Sequence, residues 1–195
     1  MAVTIKSPRE IELMRKAGEI LASVHEELAK ALHPGMTTMD IDRLGEKLIR
    51  SHGCIPSFKN YNGYPGSICV SVNDEVVHGI PSRTRVLKEG DIVSLDAGVI
   101  YKGYHSDAAR TWGIGQVSSE AEKLMEEHFG YGVVRDLVGH GIGTHLHEDP
   151  EVPNFAMKRK GILLQPGMTL AIEPMINAGR PDVNWMDDGW TVVTD

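Results

Sequence analysis

The chain has 195 residues, room for one domain with a sizeable core or two small lobes. Hydrophobic residues make up 41% and charged residues 24%, the balance of an ordinary globular protein, and the formal net charge is −7. That charge argues against DNA as a partner: the densest basic run, Lys158–Arg159–Lys160, reads as a solvated loop. No stretch is long and apolar enough to span a bilayer, and the N-terminal MAVTIKSPRE has no apolar leader core, so no membrane association is expected. Cys54 and Cys69 alone make no disulfide framework. Two isolated thiols suit a reducing compartment, and the expected location is cytoplasmic.

Ser7-Pro8-Arg9-Glu10 predicts a helix start, with Ser7 as cap, Pro8 in the first position and Glu10 closing a capping box. Ile11, Met14, Leu21, Val24 and Leu28 recur at helical spacing to about Ala31, and His33-Pro34-Gly35 ends the run. A second helix is expected from Thr37 or Thr38, with Ile41, Leu44 and Leu48 as its stripe and Gly53 as its stop. Residues 58 to 67, FKNYNGYPGS, read as a loop. Ile68–Val72 reads as a strand, Asn73–Glu75 as a turn, Val76–Pro81 as a short strand, and Lys88–Asp91 as another turn.

Ile92 to Thr111, IVSLDAGVIYKGYHSDAART, reads as a β-hairpin carrying Asp96 and Asp107. With a Tyr101–Lys102 loop the two acids are directly opposite; with a Lys102–Gly103 loop they are diagonal neighbours. Both registers put them on one face, and a three-residue loop would not. Facing carboxylates repel, a cost that a cation between them removes.

After Thr111 the pattern restarts. Ser119–Glu122 predicts a second capping box and a short helix to about His128, with Phe129-Gly130 as its end. Two helices in the first half and one in the second read as a duplication whose second copy is abridged, giving pseudo-repeat halves of about 1–112 and 113–195 in a single domain. Val133–Val138 is expected as a strand leading into Gly139-His140-Gly141-Ile142-Gly143, with a turn at Asp149-Pro150 and another at Leu164–Met168. Thr169–Met175 is expected as a strand with Glu173 at its end, Gly179–Gly189 as a loop, and Trp190–Thr194 as a strand.

Asp96, Asp107, His140 and Glu173 each fall on or beside a short strand. Oxygen donors with one imidazole suit Mn, Fe, Co or Zn rather than a thiolate-bound structural zinc. Two bridging carboxylates suit two ions close together, the arrangement used for hydrolysis. An acid in a strand is more often a surface residue than a ligand, but His140 among glycines allows close backbone approach. His78 and His147 stand beside turns, where a side chain can face a cleft. His25, His33, His52 and His128 read as surface or capping residues, and His105 and His145 as ordinary polar residues near the site.

SICVSVNDEVVHGIP, GDIVSLDAG, GYHSDAARTW, GHGIGTHLHEDP and LAIEPM, in this order, resemble the signature blocks of type I methionine aminopeptidases. The resemblance runs from Ile5 to Thr194. It implies an α+β pita-bread fold, with two pseudo-symmetric halves of antiparallel sheet backed by helices. It implies a two-metal exopeptidase that removes the initiator methionine of nascent proteins when the next residue is small. Its partners would be N-terminal methionyl peptides and, through them, the ribosome.

By this resemblance Asp96 and Asp107 are metal carboxylates, Asp107 the bridging one. His140 is the imidazole ligand, and Glu173 a ligand that also accepts a proton. His78 contacts the substrate amide, and His147 the scissile carbonyl. Phe58, Tyr61, Tyr64, Cys69, Leu146, Met175 and Trp190 line the pocket for the methionine side chain, together with His78 and His147.

Two departures from the family stand out. Its fifth metal ligand, a glutamate on the strand after Trp-Thr-Val-Val, is not reached before Asp195, and Glu151, Asp187, Asp188 and Asp195 do not match that motif. Its second half carries two full helices where this chain has Ser119 to about His128. The expectations are weakened metal binding, with one ion held better than two, and self-association through second-half sheet left exposed. The alternative to a working aminopeptidase is an abridged, non-catalytic member that keeps the fold and the peptide cleft.

Overall fold

The computed structural model describes residues 3–126, 130–158 and 160–195. His128 and Phe129, expected to end the second-half helix, and Arg159 of the basic run lie outside them. Helix α1 (Pro8–Ala31) starts at Ser7, where both halves of the capping box with Glu10 form. Helix α2 (Thr38–Ser51) starts at Thr37, capped reciprocally with Asp40. Each cap satisfies helix N–H groups that have no partner in the first turn.

Strand β1 (Ile55–Pro56) follows, then the FKNYNGYPGS loop with a 3₁₀ turn at Tyr61–Gly63. Strands β2 (Ile68–Val72) and β3 (Glu75–Val77) come next, and then the hairpin β4 (Ile92–Tyr101) and β5 (Tyr104–Gly113). Tyr101 pairs with Tyr104 across a Lys102–Gly103 loop. Both loop residues have positive φ, 49° and 86°, as a two-residue hairpin of this twist requires. This is the second of the two registers left open by the sequence. Asp107 lies opposite Gly98 and Asp96 opposite Ala109, so the acids are diagonal neighbours on one face.

β4 is the centre of the first sheet, with β5 on one side and β2 and β1 on the other. α1 packs on β4 and β5, and α2 on β2 and β1. Leu21, Val24, Leu28, Ile41, Ile49, Ile68, Val70, Val93 and Leu95 are buried between them. His25 lies in this layer and is 2% exposed, so it is a core residue and not a surface one. Its Nε2 pairs with the Ala108 carbonyl at 2.9 Å and its ring stacks on Trp112. The aromatic partner lies far along the chain, which helix position alone does not reveal.

The second half has helix α3 (Ser119–Glu126) and short strands β6 (Gly132–Val133), β7 (Gly139–Gly141), β8 (Glu148–Val152), β9 (Leu170–Ala171), β10 (Ile176–Asn177), β11 (Val183–Trp185) and β12 (Val192–Thr194). They form a β8-β7-β9 sheet, a β10-β6 pair, and a β11-β12-β3 sheet that ties the chain's last strand to the first half. The α3 cap is Ser118, one residue before the expected one: its Oγ accepts from the Ala121 N–H at 3.1 Å.

Several expected strands are shorter. The one predicted over 133–138 stops at Val133, because its partner β10 offers only two residues. The strand predicted over 169–175 stops at Ala171. Pro174 lacks an N–H, and the Glu173 carbonyl accepts instead from Asn154 Nδ2 at 2.7 Å. Glu173 therefore stands in a connection. Asp149-Pro150 is not a turn but part of edge strand β8, where a proline is tolerated, and its peptide bond is cis. The expected loop over 179–189 contains β11.

Candidate metal centre and substrate pocket

The β4–β5 hairpin supplies Asp96 and Asp107, β7 supplies His140, and the connection after β9 supplies Glu173. Side-chain oxygens of Asp107 and Glu173 and a ring nitrogen of His140 all lie within 4.8 Å of one another. Asp96 is not one of this trio; it stands beside it as the diagonal neighbour of Asp107 on the same face of the hairpin. Three of the four sequence-predicted ligands thus come together, and the fourth, Asp96, lies next to Asp107 on the hairpin.

The glycines flanking His140 make this possible. A Cβ on Gly139 would stand 2.3 Å from the Ala171 carbonyl oxygen, and one on Gly141 2.3 Å from that of Asp149. β9 and β8 thus press on β7 from both sides and leave the His140 side chain as the bulk of that strand.

The electrostatics describe a place for positive charge. Burial, with the Glu173 charge next, pushes Asp96 up to about 7. Burial and then the Asp96 charge push Asp107 well above the usual carboxylate range. His140 Nδ1 is 2.7 Å from the Gly141 carbonyl, which it serves as donor. Nε2 is buried without a hydrogen-bond partner, although Glu173 Oε1 is 3.1 Å and Asp107 Oδ2 3.8 Å away. Burial works against a charge on this ring, but Glu173 and the Gly141 carbonyl outweigh it and raise His140 above its ordinary value. An orphaned ring nitrogen aimed at carboxylates, its other nitrogen fixed by a carbonyl, fits a divalent ion. Burial pushes the Cys69 thiol well up, with the neighbouring Asp96 charge next.

Two more histidines complete the site. The His147 ring is 4.1 Å from that of His140, and its Nδ1 is 2.8 Å from the Tyr61 hydroxyl. Burial first, and then His140, push His147 down to about 4, so the ring is neutral. His78 has φ +60°, a left-handed backbone uncommon for a non-glycine residue, and its ring meets Trp190 edge-on. Burial lowers His78 too, against the pull of Glu173.

Beside the acids, Phe58, Tyr64, Cys69, Ile142 and Leu146 form a second apolar cluster, with Tyr61 and Trp190 packed on it. Met175, expected here, stands outside the cluster; its carbonyl accepts from the Val134 N–H at 3.0 Å. Ile142, Ile80 and Met14 belong to the cluster and were not expected. Ile142 lies inside GHGIG, so its position next to His140 was a usable signal; Met14 was hidden in the apolar stripe of α1. The loop bearing Phe58 and Tyr64 is pinned to α2, whose buried Asp42 accepts from the N–H groups of Ser67 and Ile68 at 2.6 and 2.9 Å. Tyr64 donates to the Gly79 carbonyl at 2.9 Å.

The sequence pattern of metallopeptidase family M24 matches residues 12–126 and 114–193. The two stretches overlap at α3, where the second half is abridged. The chain is 49% identical to a methionine aminopeptidase of Clostridium acetobutylicum over 222 positions, which take in 98% of this chain and 89% of that protein. It is 46% identical to methionine aminopeptidase 1 of Bacillus subtilis over the same shares. The aligned length exceeds that of this chain, so both relatives carry residues with no counterpart here. The crystal structure of methionine aminopeptidase from Thermotoga maritima superposes with a TM-score of 0.95 at 40% identity, covering 99% of this chain and 90% of that one. The blocks of sequence, the α+β pita-bread fold and the converging acids agree: this chain belongs to metallopeptidase family M24, among its methionine aminopeptidases.

Proposed function

We propose that this chain removes methionine from the N-terminus of nascent peptides, with divalent ions held by Asp96, Asp107, His140 and Glu173. One observation carries the reading: the Asp107, His140 and Glu173 donor atoms converge within 4.8 Å, in the part of the molecule where a second apolar cluster forms. Three carboxylates with one imidazole favour Mn, Fe, Co or Zn, and the chemistry these ions supply when bound is activation of water at neutral pH. The shared Asp107 suits it to bridge two ions.

The chain's own residues would divide the rest of the work. The methionine side chain enters the pocket of Phe58, Tyr64, Cys69 and Leu146, with Tyr61 and Trp190 at its edge and Met175 farther out. A soft, aromatic-edged slot suits an unbranched thioether. A Tyr61 hydroxyl donating to His147 Nδ1 leaves Nε2–H free to donate to the scissile carbonyl oxygen as negative charge develops there. His78 faces the substrate amide. Glu173 accepts a proton from the attacking water and returns it to the leaving amine, so the C–N bond breaks to free methionine and a shortened peptide. Such substrates emerge at the ribosome in the cytoplasm, where we place the protein. Among the described residues no helix is long and apolar enough to cross a membrane.

The test is methionine release from a Met-Ala-Ser peptide with added Mn(II) or Co(II). Release that stops with a chelator is expected. Peptide binding without release under every metal would overturn this reading in favour of a non-catalytic member.

A further inference from the structure

His147 stands on the tight turn between β7 and β8, and that turn is held by a buried ion pair from the other end of the chain. Lys6 Nζ lies 2.6 Å from Glu148 Oε2, and the two side chains are 6% and 3% exposed. Thr4 Oγ1 donates to the same oxygen. The other oxygen, Oε1, accepts from the His145 backbone N–H at 3.2 Å. Both oxygens of Glu148 are therefore used, one by the N-terminal segment and one by the turn. The segment is fixed independently, its Lys6 N–H bonding to the Gly167 carbonyl at 2.8 Å. The fit leaves no slack: a Cβ on Gly143 would stand 2.5 Å from Lys6 Cε and 2.6 Å from Glu148 Oε1.

A buried ammonium with a single carboxylate partner is costly to assemble, and its best-attested benefit is to fix one arrangement rather than to add stability. What it fixes here is a turn whose Leu146 is buried in the second apolar cluster and whose His147 ring sits against His140. We propose that Lys6 and Glu148 are positioning residues for His147: the pair latches the 143–148 turn to the N-terminal segment and so sets where the His147 ring stands. This rests on the reading of His147 as the donor to the scissile carbonyl. A donor aimed at a charge that exists only in the transition state must be placed closely, because misplacement is felt in kcat before it is felt in KM.

The experiment uses the metal-loaded full chain and the variants Lys6→Met, Glu148→Gln, Thr4→Val and His147→Ala. Lys6→Met and Glu148→Gln are each expected to lower kcat about tenfold with KM within about twofold of wild type. Thr4→Val keeps the ion pair and removes one donor, for a loss of about threefold, which keeps the test open should a charge variant fail to fold. In a His147→Ala background, Lys6→Met is expected to cost nothing further. A loss that adds in full to that of His147→Ala, or a rise in KM at constant kcat, would overturn the proposal. A second readout needs no activity: ¹⁵N-histidine spectra of Lys6→Met and Thr4→Val should shift His147 and leave His25 in place. If the wild-type chain released no methionine, the aminopeptidase reading would fall by itself. An unmoved His147 resonance in both variants would sink the latch on its own.

Discussion

The two halves of the molecule are built to different standards. Up to Gly113, two capped helices cover a sheet whose central hairpin has ten residues in each strand. Nearly all of the main core lies there, from Ile20 to Val99, with Ile114 as its one member beyond the hairpin. From Ile114 on, strands are two to five residues long, and the exposed large apolar side chains gather there: Met157, Ile162, Leu163, Leu164, Ile172, Trp185 and Met186. Yet the site draws equally on both, two acids from the long hairpin and His140 and Glu173 from the short elements. The first half is a platform. The second is held to it by β12 on β3, by the second apolar cluster and by the Lys6–Glu148 pair, and the proposed metal site would add a further link.

The largest expected effect breaks the site and spares the platform. His140→Ala removes the one imidazole and should lower methionine release about 10³-fold or more. Circular dichroism of the helices should be unchanged, since α1 and α2 pack mainly on the first sheet and on each other. Helix loss in this variant would mean that the halves are not energetically separate.

The converse substitution strikes the platform. Leu95 is fully buried in the centre of β4, and Leu95→Ala should cost about 2–5 kcal/mol in urea unfolding. Because Leu95 and Asp96 are successive residues of β4 and face opposite sides of the sheet, activity should fall with folded population and not before it.

Metal addition sharpens the contrast, since a ligand that binds only the folded site stabilises it by about 2.7 kcal/mol at a hundredfold excess over Kd. Hydrogen exchange should slow on adding Mn(II) chiefly in 139–152 and 168–177, and much less in β4 and β5. Equal protection everywhere would refute the stapling role given to the site.

Acid tests the platform through one group. Burial lowers the pKa of His25 in the folded state. A depressed folded value means that stability is complete above the ordinary histidine range and is lost as pH falls through the lowered one. His25→Phe should flatten that loss in a pH series of melting temperatures.

What could be read from the sequence follows the same division. The helix starts at Ser7 and near Thr37, strand 68–72 and the 92–111 hairpin, which runs two residues further to Gly113, were legible because their signals are local: cap spacing, alternation, and a Lys-Gly turn. The second-half strands were not, because their lengths are decided by partners such as β10, and by Pro174 beside Glu173. The four candidate ligands could be collected from their places on or beside short strands and their roles only through the resemblance; that Asp96 and Asp107 share a face follows from the hairpin, but the meeting of Asp107 with His140 and Glu173 is tertiary. The Lys6–Glu148 pair joins residues 142 positions apart, beyond any local pattern.

The smallest effect on stability, and the one that tests the expected self-association, lies on the exposed side chains. Leu163 is 82% exposed and Leu164 62%. Replacing both with serine removes no packing, so unfolding should change by no more than about 0.5 kcal/mol per site. Apolar side chains left in water at this density favour association, and sedimentation of the wild-type chain should show species heavier than a monomer that the double serine variant loses. Val86, 40% exposed, lies in the first half, and Val86→Ser should leave an association through the second half intact. A wild-type chain that sediments as a monomer at every concentration would mean that the second half, thin as its core is, needs no further cover.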